Sequence, residues 1–166
     1  MVKIKYIIMA VVVVGIGIFA ALRFFESEEK KVKKQFDLLA KWVSKEANEK
    51  ILTTASKIDK IHTLFAEGCE FKVPIASLSG HYTPDEISSY AARGRSQFSK
   101  LSLKFHDLDI DLTEKGVAKV NLTARLTGES TIGEHVDEIR ELGCILKKIE
   151  KKWIFSEFEV VEVLKR

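Results

Sequence analysis

The sequence predicts an α+β fold in which an N-terminal transmembrane helix is followed by a curled antiparallel sheet packed on three helices. Three observations predict it. Residues 6–22 contain no charged side chain. Over most of residues 32–97 the apolar side chains recur at steps of three and four, and over residues 101–164 they recur at every second position. Steps of three and four place side chains on one helix face, and steps of two place them on one sheet face. Helices followed by long strands are typical of an α+β domain.

The N-terminal apolar run predicts a membrane anchor. With its flanking residues the run reaches about 20 residues, and a helix of that length crosses about 30 Å of hydrocarbon. It has no polar face of the kind that a helix in a soluble domain turns towards water. We therefore divide the chain into a short tail and anchor, residues 1–25, which contact the bilayer through residues 6–25, and a single domain, residues 26–166. A cleaved secretory signal ending near Ala20 is the alternative, although its apolar region is usually shorter.

Basic residues lie on both sides of this anchor and leave its orientation open. Lys3 and Lys5 precede it, whereas Arg23 and the lysines within residues 30–34 follow it. A short basic tail ahead of a first apolar segment is typical of a signal anchor, so we expect a single-pass protein of the cell inner membrane with its C-terminal domain in the periplasm. If the domain were cytoplasmic, residues 30–34 would be able to meet anionic lipid head groups.

The two cysteines, Cys69 and Cys144, do not decide between the compartments. They would be able to form a disulfide in an oxidising compartment, but each lies among apolar residues, where a buried free thiol is equally ordinary. Both alternatives stay open from the sequence.

The charged residues 26–34 predict a continuation of the anchor helix into the domain. The apolar face of this helix recurs at steps of four, three and four: Val32, Phe36, Leu39 and Val43. A second helix is predicted over residues 48–65, with Gly68 ending it. Its apolar side is formed by Ile51, Ala55, Ile58, Ile61 and Phe65. A short strand is predicted over residues 69–75, closing at Pro74, because proline is tolerated at strand ends.

The third helix has the clearest local signal. Thr83 is a good N-cap, Pro84 suits the first helical position, and Glu86 completes a capping box with Thr83. The helix is predicted to end near Gln97, with Arg95 on its outer face.

From residue 101 onwards the spacing of apolar residues predicts four long strands. The inward set changes parity at His106 and Asp107, which predicts a β-bulge that bends the sheet. The turns are predicted at residues 115–116 and 151–152, with a longer polar connection over residues 128–135. The inward positions of the second long strand are Ala118, Val120, Leu122, Ala124 and Leu126, and those of the last strand are Ile154, Phe158 and Val160.

Residues 32–164 resemble the nuclear transport factor 2-like (NTF2-like) superfamily, also described as SnoaL-like or cystatin-like cones. The resemblance is carried by the element order and by a closing pattern in which residues 146–148 (Leu-Lys-Lys) lead to residues 152–154 (Lys-Trp-Ile). It implies a cone of helices and curled sheet, in a superfamily that includes isomerases and dehydratases beside many non-enzymatic binding domains. A single span followed by such a domain also resembles the inner-membrane assembly subunits of type IV secretion systems, which usually carry a longer cytoplasmic tail.

We select four ligand-pocket candidates, namely Tyr90, His106, Asp107 and Arg140, because they are the polar side chains that stand near predicted inward positions. Each also has an ordinary structural explanation: Tyr90 as a core aromatic, Arg140 as a strand-end charge paired with Glu138 or Glu141, and His106 and Asp107 as residues that a bulge leaves solvated. No catalytic residue is assigned, and no metal or cofactor is expected.

The net charge is +3, and lysines alternate with glutamates along the chain, so nucleic acid is not an expected partner. The expected function is a membrane-anchored, non-catalytic binding or assembly module that forms a homo- or hetero-oligomer through its sheet face. The alternatives are a binder of a small apolar ligand in the cone and an isomerase- or dehydratase-like enzyme.

Overall fold

The computed structural model describes residues 2–74 and 78–161, with side chains omitted for residues 2–10 and 24–26. The elements are α1 (Val2–Val43), α2 (Ile51–His62), β1 (Phe65–Lys72), β2 (Gly80–Tyr82), α3 (Pro84–Ser96), β3 (Phe98–Asp111), β4 (Val117–Ser130), β5 (His135–Ile149) and β6 (Lys152–Val161). The six strands form one sheet in the order β2-β1-β6-β5-β4-β3. The predicted α+β fold with a curled sheet is confirmed, but the sheet is not wholly antiparallel, because β1 and β6 run parallel.

The helix α1 runs through the predicted anchor and the first domain helix without a break. Its apolar side chains between residues 11 and 22 are exposed, whereas Val32, Phe36 and Leu39 are buried in the core. Within the fully described residues, no helix is long and apolar enough to cross a membrane. The anchor is predicted for residues 6–25, and the structure does not describe the side chains of residues 6–10 and 24–25 within it. The transmembrane helix is therefore not supported by the structure.

The core lies between the sheet and the helices, and its centre is aromatic. Neighbouring rings lie with their centroids 5.0–6.4 Å apart; they belong to Phe36, Phe65, Phe71, Phe155 and Phe158. The predicted parity of β4 is confirmed, because Ala118, Val120, Leu122 and Ala124 are all buried. Each large apolar side chain buried in this way stabilises the fold by about 1.5–3 kcal/mol.

The second helix is shorter than predicted, and its N-terminal half does not reach the core. It begins at Ile51, which is 86% exposed, and only Ile61 of the predicted apolar side is fully buried within it. Phe65 already belongs to β1, and Gly68, which was expected to end the helix, lies inside that strand with φ +69°. The pairing of β1 with β6 shifts register around this glycine, so Gly68 marks a bulge. The short strand β2 was not predicted.

The capping box and the β3 bulge are both confirmed. The Glu86 amide donates to Thr83 Oγ1 at 3.3 Å, and the Thr83 amide donates to Glu86 Oε2 at 2.8 Å. Asp107 has φ 54°, and the pairing of β3 with β4 shifts between His106 and Asp109. The sequence predicts both features because each is determined by residues close together in the chain.

The connections after β4 differ from the prediction. The polar connection expected over residues 128–135 shortens to residues 131–134, because β4 continues through Gly128 to Ser130. A Cβ atom on Gly128 would lie 2.6 Å from the Lys100 carbonyl oxygen, so this glycine allows a close approach of two strands and does not mark a turn. The β5–β6 turn lies one residue earlier than predicted, at Glu150 and Lys151, which both have positive φ.

The inward face of β6 also differs from the prediction. Its buried side chains are Trp153, Phe155 and Phe158, whereas Ile154 is only half-buried. The register with β5 shifts beside Ser156, which has no partner residue there and donates to the Ile145 carbonyl at 3.1 Å. A bulge at Ser156 therefore changes the parity within the strand.

Both cysteines are buried free thiols. Cys69 lies on β1 and Cys144 on β5, the two strands that flank β6. Two strand spacings separate them by about 10 Å, beyond the reach of a disulfide. Of the two alternatives left open by the sequence, the structure supports the free thiols.

Candidate functional site

The four predicted site residues are exposed and lie on three different elements. Tyr90 stands on α3 with 52% of its surface exposed, His106 and Asp107 form the β3 bulge, and Arg140 lies on β5. His106 pairs with Thr123, whereas Arg140 pairs with the next residue, Ala124. Because successive side chains of a strand alternate between its faces, His106 and Arg140 project to opposite faces of the sheet. The structure therefore does not assemble them into one site.

Arg140 is a surface charge at the uncovered end of β5. Its Nη2 pairs with Glu138 Oε2 at 2.7 Å, and both side chains are more than half exposed. Its Nη1 donates to the Ile139 carbonyl at 2.9 Å. A pair this exposed contributes about 1 kcal/mol or less. The predicted pairing of Arg140 with Glu138 is confirmed, although Arg140 lies within β5 and not at its terminus.

Asp107 lines a small polar hollow on the sheet. The hollow has a volume of about 250 Å³ and is also lined by Asp109, Asn121, Thr123 and Glu141. The described residues that line this hollow include no lysine, arginine or histidine. Across residues 2–74 and 78–161, no group of three or more histidine, cysteine, aspartate or glutamate side chains is placed to hold a metal ion.

The interior of the cone contains rings and thiols. Phe71 and Phe158 are stacked at 5.3 Å with an interplanar angle of 10°. Burial raises the pKa of the Cys69 thiol to about 12 and also raises that of Cys144. A thiol held protonated in this way is a poor nucleophile. These described groups supply packing and no acid–base pair.

An apolar pocket opens beside Tyr90, between α3 and the β1–β2 edge of the sheet. We call it the Tyr90 pocket; it has a volume of about 280 Å³ and is lined by Phe71, Val73, Leu78, Tyr82, Ile87 and Tyr90. The rings of Tyr82 and Tyr90 meet edge to face at 5.6 Å, and the Tyr82 hydroxyl donates to the Leu78 carbonyl at 3.0 Å. The pocket is suited to an apolar group.

A buried ionic network that the sequence did not predict surrounds Arg95. This residue is only 2% exposed and does not lie on the outer face of α3 as predicted. Its guanidinium donates to carbonyls at the end of α1, including that of Ser44 at 3.1 Å, and pairs with Glu49. Lys57 Nζ meets the same carboxylate at 2.5 Å. Burial opposes ionisation of Glu49, but the hydrogen bonds from Lys57 and Thr54 and the charge on Arg95 hold its pKa below the usual range. The network joins α1, α2 and α3.

A second buried carboxylate, Glu28, ties α1 to the β5–β6 hairpin. Glu28 is 5% exposed and accepts from Lys31 Nζ at 2.7 Å, Lys148 Nζ at 2.7 Å and Trp153 Nε1 at 3.0 Å. Burial alone would raise its pKa, but these hydrogen bonds and the charge on Lys148 lower it to about 2. Only the position of Glu28 four residues before Val32, on the buried face of α1, was a usable sequence signal for this contact.

Comparisons with known proteins find similarity of fold. No family model matches the chain, and no curated protein matches it in sequence. The Kfla4162 protein from Kribbella flavida matches with a TM-score of 0.68 at 8% identity, over 82% of this chain and 90% of that one. The hexachlorocyclohexane dehydrochlorinase LinA type 2 matches with a TM-score of 0.64 at 8% identity, over 81% and 84%. A variant of Rd1NTF2_05 matches with a TM-score of 0.54 at 11% identity, over 81% and 99%. The fold is an NTF2-like cone.

Proposed function

We propose that the chain is a single-pass membrane-anchored NTF2-like domain that binds a partner and catalyses no reaction. One observation carries this proposal: aromatic rings occupy the interior of the cone, while the four polar candidates are exposed on separate elements. Proton-transfer catalysis requires a base within hydrogen-bond reach of its substrate, in a pocket that excludes water and tunes its pKa. The fold itself is compatible with either role, so the filling of the interior supports the choice.

The membrane anchor is the first part of the proposal. Apolar side chains of α1 such as Val11, Ile16 and Phe19 are between 61% and 66% exposed, and the helix carries no charge from residue 6 to residue 22. An exposed apolar surface of this kind is stabilised by insertion into lipid. The basic tail before it favours the cell inner membrane with the domain in the periplasm.

Two measurements test the anchor and its orientation. We expect the full chain to stay in the membrane pellet after alkaline carbonate extraction. We also expect protease added to spheroplasts to remove the domain, whereas protection of the domain would reverse the orientation. Release of the chain by carbonate would contradict the anchor.

The second part of the proposal is an interface on the outer face of the sheet. Ile139 on β5 is 52% exposed there and pairs across the strands with Arg125. Arg125 in turn forms a two-pronged ion pair with Asp137, at 2.7 and 2.9 Å. An apolar centre with a charged rim is the usual composition of a non-obligate protein interface. A second copy of this chain or another protein would suit this surface.

Charge reversal tests the interface without touching the core. We expect R125E to reduce co-purification of two differently tagged copies, or of a neighbouring protein, because it places like charges at Asp137. The matched control is K41E, which reverses an exposed lysine on α1. Equal co-purification of R125E, K41E and the unaltered chain would remove the sheet-face interface.

The Tyr90 pocket favours a second candidate function, the binding of a small apolar ligand. Its lining is almost wholly apolar and aromatic. LinA, which shares the fold, is by its name a dehydrochlorinase of hexachlorocyclohexane. Titration with a small aromatic probe tests the idea: we expect saturable binding that I87W abolishes by filling the pocket and that Y90F weakens only slightly. Absence of saturable binding to the unaltered chain would leave the protein-binding role alone.

A further inference from the structure

A hollow with a basic rim lies between α1 and the β5–β6 hairpin. We call it the basic hollow; its rim carries Lys31 and Lys34 from α1 and Lys151 and Lys152 from the hairpin. Its volume is about 350 Å³. The floor is apolar and includes the side chains of Trp42 and Trp153. Two elements distant in sequence thus bring four ammonium groups around one apolar surface.

The hollow extends along α1 from Lys31 to Trp42, and the two helix lysines stand at the end of it that is nearest to the proposed anchor. Glu28 binds both Lys148 and Trp153, so it holds the hairpin against the part of α1 that directly follows the anchor. At 1.5 Å per residue, Lys31 lies about 9 Å along the helix from residue 25. Lys34 lies about 13–14 Å along the helix from residue 25, and a lysine side chain is long enough to extend back from there towards the head-group layer of a bilayer.

The basic hollow carries more positive charge than the acidic residues around it balance. Lys34, Lys151 and Lys152 form no ion pair with any residue that the structure describes. Lys31 pairs with Glu28 at 2.7 Å, and Glu150 is the acidic residue of the adjoining turn. Three ammonium groups are therefore available to an anion. The half-buried Trp42 beside them offers the kind of surface that lies at membrane interfaces.

We propose that the basic hollow holds the phosphate of an anionic phospholipid from the adjacent leaflet, with the glycerol and first methylenes on its apolar floor. This inference rests on the proposed membrane anchor, which keeps the hollow beside the bilayer. With the domain in the periplasm, the lipid comes from the periplasmic leaflet, so the inference relies on the lysines of the hollow and not on the surface potential of the cytoplasmic leaflet. Charge complementarity selects the anionic head group, and the apolar floor distinguishes a lipid from a free phosphate ion. The bound lipid would hold the domain in one orientation on the membrane.

The test uses the full chain in a neutral detergent, with native mass spectrometry counting the lipids bound. We expect phosphatidylglycerol to bind at least about tenfold more tightly than phosphatidylcholine. In the variant K34Q/K151Q/K152Q we expect the affinity for phosphatidylglycerol to fall roughly 10- to 100-fold, because three charges near the phosphate are lost. The matched control K41Q/K100Q/K104Q removes three exposed lysines outside the hollow and should bind phosphatidylglycerol like the unaltered chain.

Three results would overturn the inference. They are equal affinity for the two lipids, an unchanged affinity in K34Q/K151Q/K152Q, and displacement of phosphatidylglycerol by inorganic phosphate at equal concentration. Circular dichroism of both triple variants confirms that they remain folded. Carbonate extraction separately tests the anchor: release by carbonate removes the proposed function, whereas a retained chain without lipid selectivity removes only this inference.

Discussion

Replacing Glu28 by glutamine tests whether the buried carboxylate holds α1 against the hairpin. A pKa of about 2 in place of the ordinary 4.5 corresponds to roughly 3 kcal/mol of preference for the ionised carboxylate in the folded protein. Lys31 is half exposed, so water screens part of its contribution. We therefore expect E28Q to lower the free energy of unfolding by about 2–3 kcal/mol at pH 7.

The pH dependence of stability gives a second, independent test of this prediction. Because the folded pKa is lower than the unfolded one, the stabilisation is complete above about pH 4.5 and is lost as the pH falls towards about 2. A protonated glutamate resembles glutamine in shape and charge. The difference in stability between the unaltered chain and E28Q should therefore stay constant above pH 4.5 and shrink towards zero near pH 2.

The assay is denaturant unfolding of the full chain in a neutral detergent, followed by the fluorescence of its two tryptophans. Contributions from other carboxylates cancel, because only the difference between the two proteins is compared. The matched control is E29Q, since Glu29 pairs with Lys33 at 2.8 Å with both side chains nearly half exposed. E29Q should cost about 0.5 kcal/mol or less and show little pH trend. Equal effects of E28Q and E29Q at pH 7 would refute the reasoning.

Three further predictions concern the core, a close approach of strands and the thiols. L122D places a charge on the buried face of β4 and should cost more than about 4 kcal/mol in urea unfolding, whereas K119D on the opposite face should cost about 1 kcal/mol or less. G128A forces a Cβ atom to 2.6 Å from a carbonyl oxygen and should cost roughly 1–3 kcal/mol, whereas G94A in α3 meets open space and should be neutral or slightly stabilising; equal melting temperatures would contradict the strand geometry. Both buried thiols should resist maleimide at pH 8 in the folded chain and react on unfolding, because burial raises the pKa of each; rapid labelling of the folded chain would refute this.

The features that the sequence predicted well are those decided within a few residues. The Thr83–Glu86 capping box satisfies amides of its own helix turn, so no distant partner is involved. The parity of β4 is equally local, because alternation alone determines which side chains can share a face. The bulge at Asp107 was found in the same way, through a change of parity within one strand.

The features that the sequence did not predict depend on partners far along the chain. Glycine is common in turns, yet Gly128 lies within β4. Its missing side chain allows the backbone of β3 to approach closely at Lys100, 28 residues earlier in the chain. Arginine is usually found at the surface, yet Arg95 is buried and donates hydrogen bonds to the carbonyls that end α1, more than 50 residues away. The spacing of charged residues along a helix predicts which of them share a face. It does not predict which other element packs against the end of that helix.

The structure does not bring the four candidate residues together, for a related physical reason. Parity predicts which side chains share a face of a strand, but it does not predict where the covering helices end. Arg140 stands with Glu138 on a part of β5 that no helix covers. Among the described residues, the buried polar ones are Glu28, Ser88 and Arg95. Two of these connect elements: Glu28 lies on α1 and accepts from Trp153, and Arg95 donates to carbonyls at the end of α1. They join that helix to the hairpin at one point and to α2 and α3 at the other. These contacts hold the part of α1 from Glu28 to Val43 against the rest of the domain. That property suits a domain whose proposed task is to present a binding surface at a fixed height above a membrane.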